Sequence, residues 1–231
     1  MQPYLFPYIG YFQLIHAVDT FVLLDDVHYI NKGWINRNTL LVNGQATFFH
    51  VPLQKASQNR LINEIKVFPE LKWKKTFLKT IAGAYKKSAC FDAAYPVIED
   101  IIWQQEEYIS GLIQYSIHKL LGYLAIKTDV IASSAVYDNG QLQSQQRIID
   151  ICKKEKADHY INAIGGKALY AQEDFEQHQL KLFFLKPGLH PYNQLNAGFV
   201  AGLSIVDVLM HNTPQQVAQL LNQYVLEEAT H

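Results

Sequence analysis

Two adjacent carboxylates, Asp25 and Asp26, are the residues whose position in this chain most strongly suggests a reaction. They directly follow residues 20–24, an unbroken apolar run typical of a β-strand that is buried on both faces. Proteins with parallel sheets bind ligands at the carboxyl ends of their strands. We therefore expect Asp25 to contact substrate and Asp26 to accept a proton. The alternative is that both residues form a turn or cap a helix.

A second candidate group lies about ten residues further on. Arg37 stands between two asparagines, and its guanidinium can bind a phosphate or carboxylate in bidentate fashion. Trp34 offers an indole wall for stacking, and Asn36 supplies an amide. The alternative is an internal ion pair from Arg37 to Asp25 or Asp26, which would fix this segment to the sheet and could also position a reactive carboxylate.

A third group follows two later strands. Gly165, Gly166 and Lys167 come after a predicted strand, so backbone N–H groups and one ammonium could converge on an anion. A plain glycine turn is the alternative, because Ala168 breaks the full phosphate-binding-loop pattern. His190 lies beyond the next strand, where a general acid or base would be useful, or where a turn histidine would bond to backbone.

The amino-terminal stretch is dense in aromatic, proline and amide residues, from which we expect Gln2, Tyr8 and Tyr11 to line the cleft. Residues 8–11 occupy the position where nucleotidyltransferases of the HIGH type carry His-x-Gly-His. This position is compatible with a nucleotide-binding crevice. The missing imidazoles argue against adenylyl transfer, because a tyrosine hydroxyl is a neutral donor. Alternatively, Gly10 allows close packing between helix and strand while both tyrosines cover the core.

The surrounding elements predict an α/β protein. Asn43-Gly44 separates two β-forming runs and indicates a two-residue hairpin after the second strand. Residues 72–122 carry helical spacing and are interpreted as a helical insertion. After it, strands and helices alternate, which implies right-handed crossovers and parallel strands. We predict helices at 10–17, 142–155, 174–179, 203–211 and 214–228, and strands at 20–24, 128–132, 160–164 and 180–185.

Together these elements predict one α/β domain spanning residues 1–231, with a Rossmann-like parallel sheet and helices on both faces. A helix near residue 10 followed by a buried strand at residue 20 also calls for an earlier strand, yet only residues 1–6 precede the helix. We therefore expect the natural chain to begin a few residues upstream of Met1.

Composition excludes several classes of protein. With 20 basic and 21 acidic side chains, the formal net charge is −1, so no global field would attract nucleic acid or an anionic membrane. The 2 cysteines exclude a disulfide framework and fit a cytoplasmic protein. No apolar run is long enough for membrane insertion. His28 lacks a second histidine with which to complete a metal site beside Asp25 and Asp26, and no motif identifies a cofactor.

Several short motifs occur together along the chain: Gln2-Pro3-Tyr4, Pro7-Tyr8-Ile9-Gly10-Tyr11-Phe12, Asp25-Asp26-Val27, Trp34-Ile35-Asn36-Arg37-Asn38, Val51-Pro52, Gly165-Gly166-Lys167, Leu169-Tyr170, His190-Pro191-Tyr192 and Leu203-Ser204-Ile205-Val206-Asp207. In this set, which covers essentially the whole chain, the sequence resembles the WbqC-like protein family. The resemblance implies a role alongside the proteins that make O-antigen and other surface polysaccharides.

These observations favour a transferase that acts on an activated anionic small-molecule donor, either a nucleotide-sugar or an activated acyl or aminoacyl group. Arg37 and Lys167 would hold the anion, and Asp26 or His190 would take a proton from the acceptor. The alternative is a non-catalytic nucleotide-sugar-binding or scaffold protein of the same pathway. A third possibility is a polysaccharide-binding module with its tyrosines and Trp34 on an open face.

Overall fold

The computed structural model describes residues 1–195 and 198–229. Its amino-terminal part begins with a short helix and a strand. Helix α1 (Ile9–His16) buries every residue except its last. Strand β1 (Thr20–Val22) follows after a tight turn. Both elements agree with the apolar spacing of the sequence, and they lead directly to Asp25 and Asp26.

A β-hairpin comes next, as the Asn-Gly pair predicts. Strands β2 (Arg37–Val42) and β3 (Gln45–His50) pair antiparallel with Val42 opposite Gln45. Asn43 and Gly44 both have positive φ, 50° and 75° respectively. This is the backbone requirement of a type I′ turn, whose twist matches that of the strands.

The middle of the chain is mainly helical. It begins with the small antiparallel pair β4 (Leu53–Gln54) and β5 (Lys66–Val67). The apolar spacing of residues 72–122 then gives three helices: α2 (Leu71–Tyr85), α3 (Phe91–Trp103) and α4 (Ile109–Tyr123). Their buried faces join the main hydrophobic core. The assignment of this block as an insertion into a single domain stays a prediction.

The last part of the chain alternates strands and helices, with one departure from expectation. Its elements are β6 (Asp129–Ile131), α5 (Ser144–Lys154), β7 (His159–Ala163), α6 (Gln172–Glu176), β8 (Lys181–Pro187), α7 (Ile205–His211), α8 (Pro214–Leu221) and β9 (Tyr224–Glu228). The predicted helix 214–228 was wrong beyond residue 221. Helix α8 ends there, and a β-favouring Tyr-Val-Leu run pairs antiparallel with β8 instead.

The strands form several small sheets rather than one. Strand β1 pairs parallel with β6, and β7 pairs parallel with β8, whose other edge carries β9. The fold is therefore mixed α/β, and the expectation of a continuous Rossmann-like parallel sheet is corrected for the described residues. The two parallel pairs do not join into one sheet, because β1 and β7 border a cavity instead of bonding to each other.

A buried polar cluster links three parts of the chain inside the main core. Asp207, on α7, is fully buried and accepts hydrogen bonds from the hydroxyls of Tyr85 (2.9 Å) and Tyr192 (2.6 Å) and from Gln194 Nε2 (2.8 Å). Tyr85 also accepts a bond from the Leu41 N–H. The carboxylate thus connects α2, α7 and the segment that follows β8 to the hairpin. In the described part of the chain, no helix is both long and apolar enough to cross a bilayer.

Candidate functional site

The carboxyl ends of β1 and β6 lie side by side because these strands pair in parallel. Asp25 and Asp26 follow β1, while Ser133 and Ser134 follow β6. The Ser134 N–H donates to the Leu23 carbonyl at 2.9 Å, which holds the two ends together. The Ser133 hydroxyl donates to Asp25 Oδ1 at 2.6 Å, and the Ser134 hydroxyl donates to Asp26 Oδ1. Two carboxylates and two hydroxyls therefore share one small site.

An arginine from α5 completes this group. Arg147 Nη2 lies 2.6 Å from each carboxylate oxygen of Asp26, and Arg147 Nε donates to Asn139 Oδ1 at 3.0 Å. The side chains of Arg147 and Asp26 are only 8% and 13% exposed. Both oxygens of Asp26 are therefore engaged in a largely buried ion pair with one guanidinium.

Asp25 has a different environment. Its residue is 2% exposed, and burial raises the pKa of its carboxyl group above the usual value, with the neighbouring Asp26 charge acting in the same direction. The hydrogen bond from Ser133 opposes the shift. A carboxyl group whose pKa is raised toward the working pH exchanges protons more effectively. Asp25 is therefore a carboxyl group whose pKa burial shifts upward within this site.

Arg37 lies in a second, exposed group at the start of the hairpin. Its Nε donates to the Gly33 carbonyl at 2.9 Å, and its Nη2 donates to the Lys32 carbonyl. The guanidinium carbon stands 5.6 Å from the ring centre of Trp34 and 5.0 Å from that of Phe48. Arg37, Trp34 and Phe48 together are here called the Arg37 platform. The alternative of an ion pair from Arg37 to Asp25 or Asp26 is not realised, because Arg147 takes that role.

Asn36 supports the Arg37 platform from behind. Its Oδ1 accepts a bond from the Tyr29 hydroxyl, and its Nδ2 donates to the Val51 carbonyl, both at 2.8 Å. With both ends of its amide occupied, Asn36 connects the loop before β2 to the chain after β3. Both hydrogen-bonding ends of the Asn36 amide are thus used within the protein.

The amino-terminal candidates are mostly used in packing. The Tyr11 ring is buried and its hydroxyl donates to the Gln2 carbonyl at 2.9 Å. Tyr8 is half-buried and covers Gly10 so closely that an added Cβ would lie 2.4 Å from its ring. The group that approaches Gly10 closely is thus the Tyr8 ring rather than a strand. Tyr8 is the more accessible of the two rings.

The glycine-lysine and histidine candidates lie apart from the carboxylates. Gly165, Gly166 and Lys167 fall in a 3₁₀ turn directly after β7, and Lys167 Nζ is 3.9 Å from Glu227 Oε2 at the exposed end of β9. His190 follows β8 and borders a cavity of only about 10 Å³. Within the described residues, no hydrogen bond or ion pair joins either side chain to Asp25.

The sequence did contain a signal for Arg147, although it was missed. Arg147 occupies the buried face of α5 together with Ile148, Ile151 and Cys152. A charged residue on an otherwise apolar helix face needs a buried partner of opposite charge. Ser133 and Ser134 carried a similar signal, because they follow β6 as Asp25 and Asp26 follow β1.

Comparison with known proteins places the chain in a family. The model of the WbqC-like protein family matches residues 2–219, so the chain belongs to that family. It is also similar to a Mycobacterium tuberculosis protein named "Uncharacterized protein Rv1507c", with 26% identity over 208 residues that cover 89% of each chain. No solved structure matches the chain significantly. Neither finding names a reaction.

Proposed function

We propose that this protein is a cytoplasmic transferase that moves a group from an activated anionic donor to a hydroxyl or amine acceptor in surface-polysaccharide biosynthesis. The observation that carries the proposal is the buried pair at the carboxyl ends of β1 and β6. There Asp26 is neutralised by Arg147, and Asp25 has a raised pKa. Membership of the WbqC-like family is consistent with a biosynthetic role, and the pathway itself rests on the resemblance.

The proton acceptor in this proposal is Asp25. Asp26 would hold the geometry of the site, because both of its oxygens bond to Arg147, so the role that the sequence suggested for Asp26 passes to its neighbour. Ser133, which donates to Asp25 Oδ1, would orient that carboxylate toward the acceptor group. His190 remains the alternative proton acceptor, acting from beyond β8.

The donor would bind at the Arg37 platform. Two of the three guanidinium nitrogens of Arg37 bond to loop carbonyls, while Nη1 has no hydrogen-bond partner among residues 1–195 and 198–229. Trp34 is 44% exposed and Phe48 is 51% exposed. An exposed cation beside two rings suits a phosphate attached to a planar group, as in a nucleotide, because it combines charge and stacking. Lys167 would be a further anion ligand.

A thermal-shift panel tests donor binding. Purified protein would be heated with nucleotides, nucleotide-sugars, acyl-CoA compounds and aminoacyl donors in turn. A donor at about a hundred times its Kd stabilises the folded state by about 2.7 kcal/mol, and in a chain of this size that raises Tm by roughly 5–10 °C. We expect Arg37→Ala to abolish the shift. Arg60→Ala is the matched control, because the Arg60 guanidinium bonds to the Glu64 carbonyl.

A non-catalytic nucleotide-sugar-binding protein is the second candidate, and one observation favours it. The contacts of Arg37 are with loop carbonyls and rings, and none of them is with Asp25 or Asp26, so the platform could bind a ligand without chemistry. A panel hit that needs Arg37 but gives no transfer in the presence of any acceptor would support this candidate. No hit with any donor would contradict both functions.

A further inference from the structure

Strand β3 of the hairpin has one free edge. It pairs with β2 on one side, and no other strand pairs with it in the part of the chain that the structure describes. Along an antiparallel pair, residues that bond to the neighbouring strand alternate with residues whose N–H and C=O point away from it. The residues that flank the two-residue turn bond to each other, and Val51 donates to the Asn36 carbonyl at 2.8 Å. The odd-numbered residues of β3 therefore bond to β2, and the free edge carries the backbone groups of Ala46, Phe48 and His50.

The space beside this edge is open. Past the end of β3, the Pro52 carbonyl accepts a hydrogen bond from the Phe68 N–H at 2.9 Å, so the chain is covered again from there onward. Along β3 itself lies a cavity of about 750 Å³, lined by residues 47–50 and by Trp73, Thr76 and Thr80 of α2. Because four consecutive strand residues border this cavity, it follows the edge of β3 and not one face alone. The cavity leaves room for a further strand, which would lie about 4.8 Å from β3.

The sequence of β3 does nothing to block pairing at this edge. Natural proteins protect free edges with charged residues, prolines or bulges, or cover them with another element. Strand β3 reads Gln-Ala-Thr-Phe-Phe-His and contains no Lys, Arg, Asp, Glu or Pro. Five of its six residues are exposed, and Phe48 is among them. An uncharged, exposed edge strand of this length readily pairs with another strand.

We propose that β3 pairs antiparallel with β3 of a second copy of this chain, about a two-fold axis at Phe48. In this register Phe48 lies opposite the partner's Phe48, and Ala46 lies opposite the partner's His50. Every free N–H and C=O of the edge then has a partner, because residues opposite each other exchange both bonds in such a pair. An axis at Thr47 would leave His50 opposite no residue of β3, and an axis at Phe49 would leave Ala46 in the same position.

The side chains of β3 favour a second copy over a strand of different sequence. Like charges directly opposite each other destabilise paired strands, and β3 has no charged residue to oppose itself. The axis places the two Phe48 rings next to each other, as an aromatic cross-strand pair of the kind that stabilises sheets. Two-fold dimers are also the commonest assemblies of identical chains, because one patch serves both subunits. Strand β3 is therefore complementary to itself in hydrogen bonding, charge and side-chain contact.

This pairing would bring the two Arg37 platforms together. Arg37 lies opposite His50 in the β2–β3 pair, so Arg37, His50 and Phe48 share one face of the hairpin. The guanidinium carbon of Arg37 is 5.0 Å from the centre of the Phe48 ring. The partner's Phe48 would then extend the aromatic surface beside that guanidinium. An effect on donor binding rests on the proposed function, whereas the dimer itself does not.

The test measures the mass of the full chain in solution by light scattering after size-exclusion chromatography. At about 100 μM protein, above the micromolar Kd expected of a weak interface, the wild type should have twice the mass of one chain. Phe48→Glu and Phe48→Lys each place like charges at the axis, so each variant alone should be a monomer. An equal mixture of the two should form dimers again, because a carboxylate then lies opposite an ammonium.

A second variant leaves Phe48 unchanged. The N–H of Ala46 points away from β2, so Ala46→Pro removes a bond to the partner and none within the hairpin. By symmetry it removes two bonds from the dimer, which should raise the dimer Kd at least about tenfold. Ala46→Val keeps the N–H and is the matched control, so it should stay dimeric. Circular dichroism and Tm would establish that each variant is folded, and this pair decides the question if the Phe48 variants are not.

Three results would overturn the proposal. A monomeric wild type at this concentration would mean that the edge of β3 is not an interface between copies. A folded Phe48→Glu variant that stays dimeric would place the interface elsewhere on the chain. A mixture of the two Phe48 variants that stays monomeric would mean that the axis does not lie at Phe48. None of these measurements uses a donor, so a failure of the thermal-shift panel would leave the dimer test unaffected.

Discussion

Replacing Arg147 with Met is expected to lower the free energy of unfolding by about 3–5 kcal/mol, because it leaves the carboxylate of Asp26 buried without its cation. The arginine lies 2.6 Å from both oxygens of Asp26, and both side chains are largely enclosed. The remaining bond from the Ser134 hydroxyl cannot replace a full positive charge. Urea denaturation monitored by circular dichroism would measure this loss of unfolding free energy directly.

A double variant separates charge from packing in this prediction. Arg147→Met combined with Asp26→Asn removes the unpaired charge, and we expect it to recover at least half of the lost stability. Arg60→Met is the control for loss of an arginine that has no carboxylate partner among the described residues, and it should change stability by less than about 1 kcal/mol. If Arg147→Met itself costs less than about 1 kcal/mol, the buried ion pair does not hold the site together.

Asp207→Ala is expected to have a comparable effect, about 3–5 kcal/mol, because it removes the acceptor of three buried hydrogen bonds at once. Bonds to a charged group contribute about 1.5–3 kcal/mol each and are not additive. Tyr85, Tyr192 and Gln194 would each lose this partner, although Gln194 keeps a bond to the Val200 carbonyl. The hydrogen-bonded connection between α2, α7 and the hairpin would weaken as these bonds are lost.

Asp207→Asn is the matched control for that variant. Its amide oxygen can still accept from Tyr192 and Gln194, and its amide nitrogen can donate to the Tyr85 hydroxyl oxygen. We expect a loss of about 1–2 kcal/mol, clearly smaller than for the alanine variant. Chemical denaturation of both proteins side by side would decide this. Equal losses would mean that the hydrogen bonds contribute little and that the volume of the side chain dominates.

The features that sequence could predict are those fixed by neighbouring residues. The Asn43-Gly44 turn was predictable because only a few residue types accept positive φ at two successive positions. The apolar run before Asp25 indicated a strand for the same local reason. Strand β9 was missed because helical and β-forming patterns overlap in residues 222–228, and pairing with β8 decided the outcome.

The contacts within the candidate site could not be predicted from neighbouring residues alone. Asp25 and Asp26 were recognised because they follow a buried strand, yet their roles depend on residues more than one hundred positions away. Arg147 engages Asp26, and Ser133 engages Asp25. Spacing along the chain does not encode such contacts. The arrangement of the sheets was unpredictable for a similar reason, because the residues of β1 and β7 favour a strand but do not identify the neighbour of each strand.

The most direct test of the account compares the transfer step in wild-type protein and in Asp25→Asn, under single-turnover conditions with a donor found in the thermal-shift panel. We expect this substitution to leave the donor-induced shift in Tm intact and to slow transfer by at least about a hundredfold, since a positioned base contributes a factor of about 10²–10⁴ to the rate. The wild-type rate should also fall as pH is lowered through the raised pKa of Asp25, because the carboxylate must be unprotonated to accept a proton. A variant that transfers within about threefold of wild type would contradict the central role of Asp25.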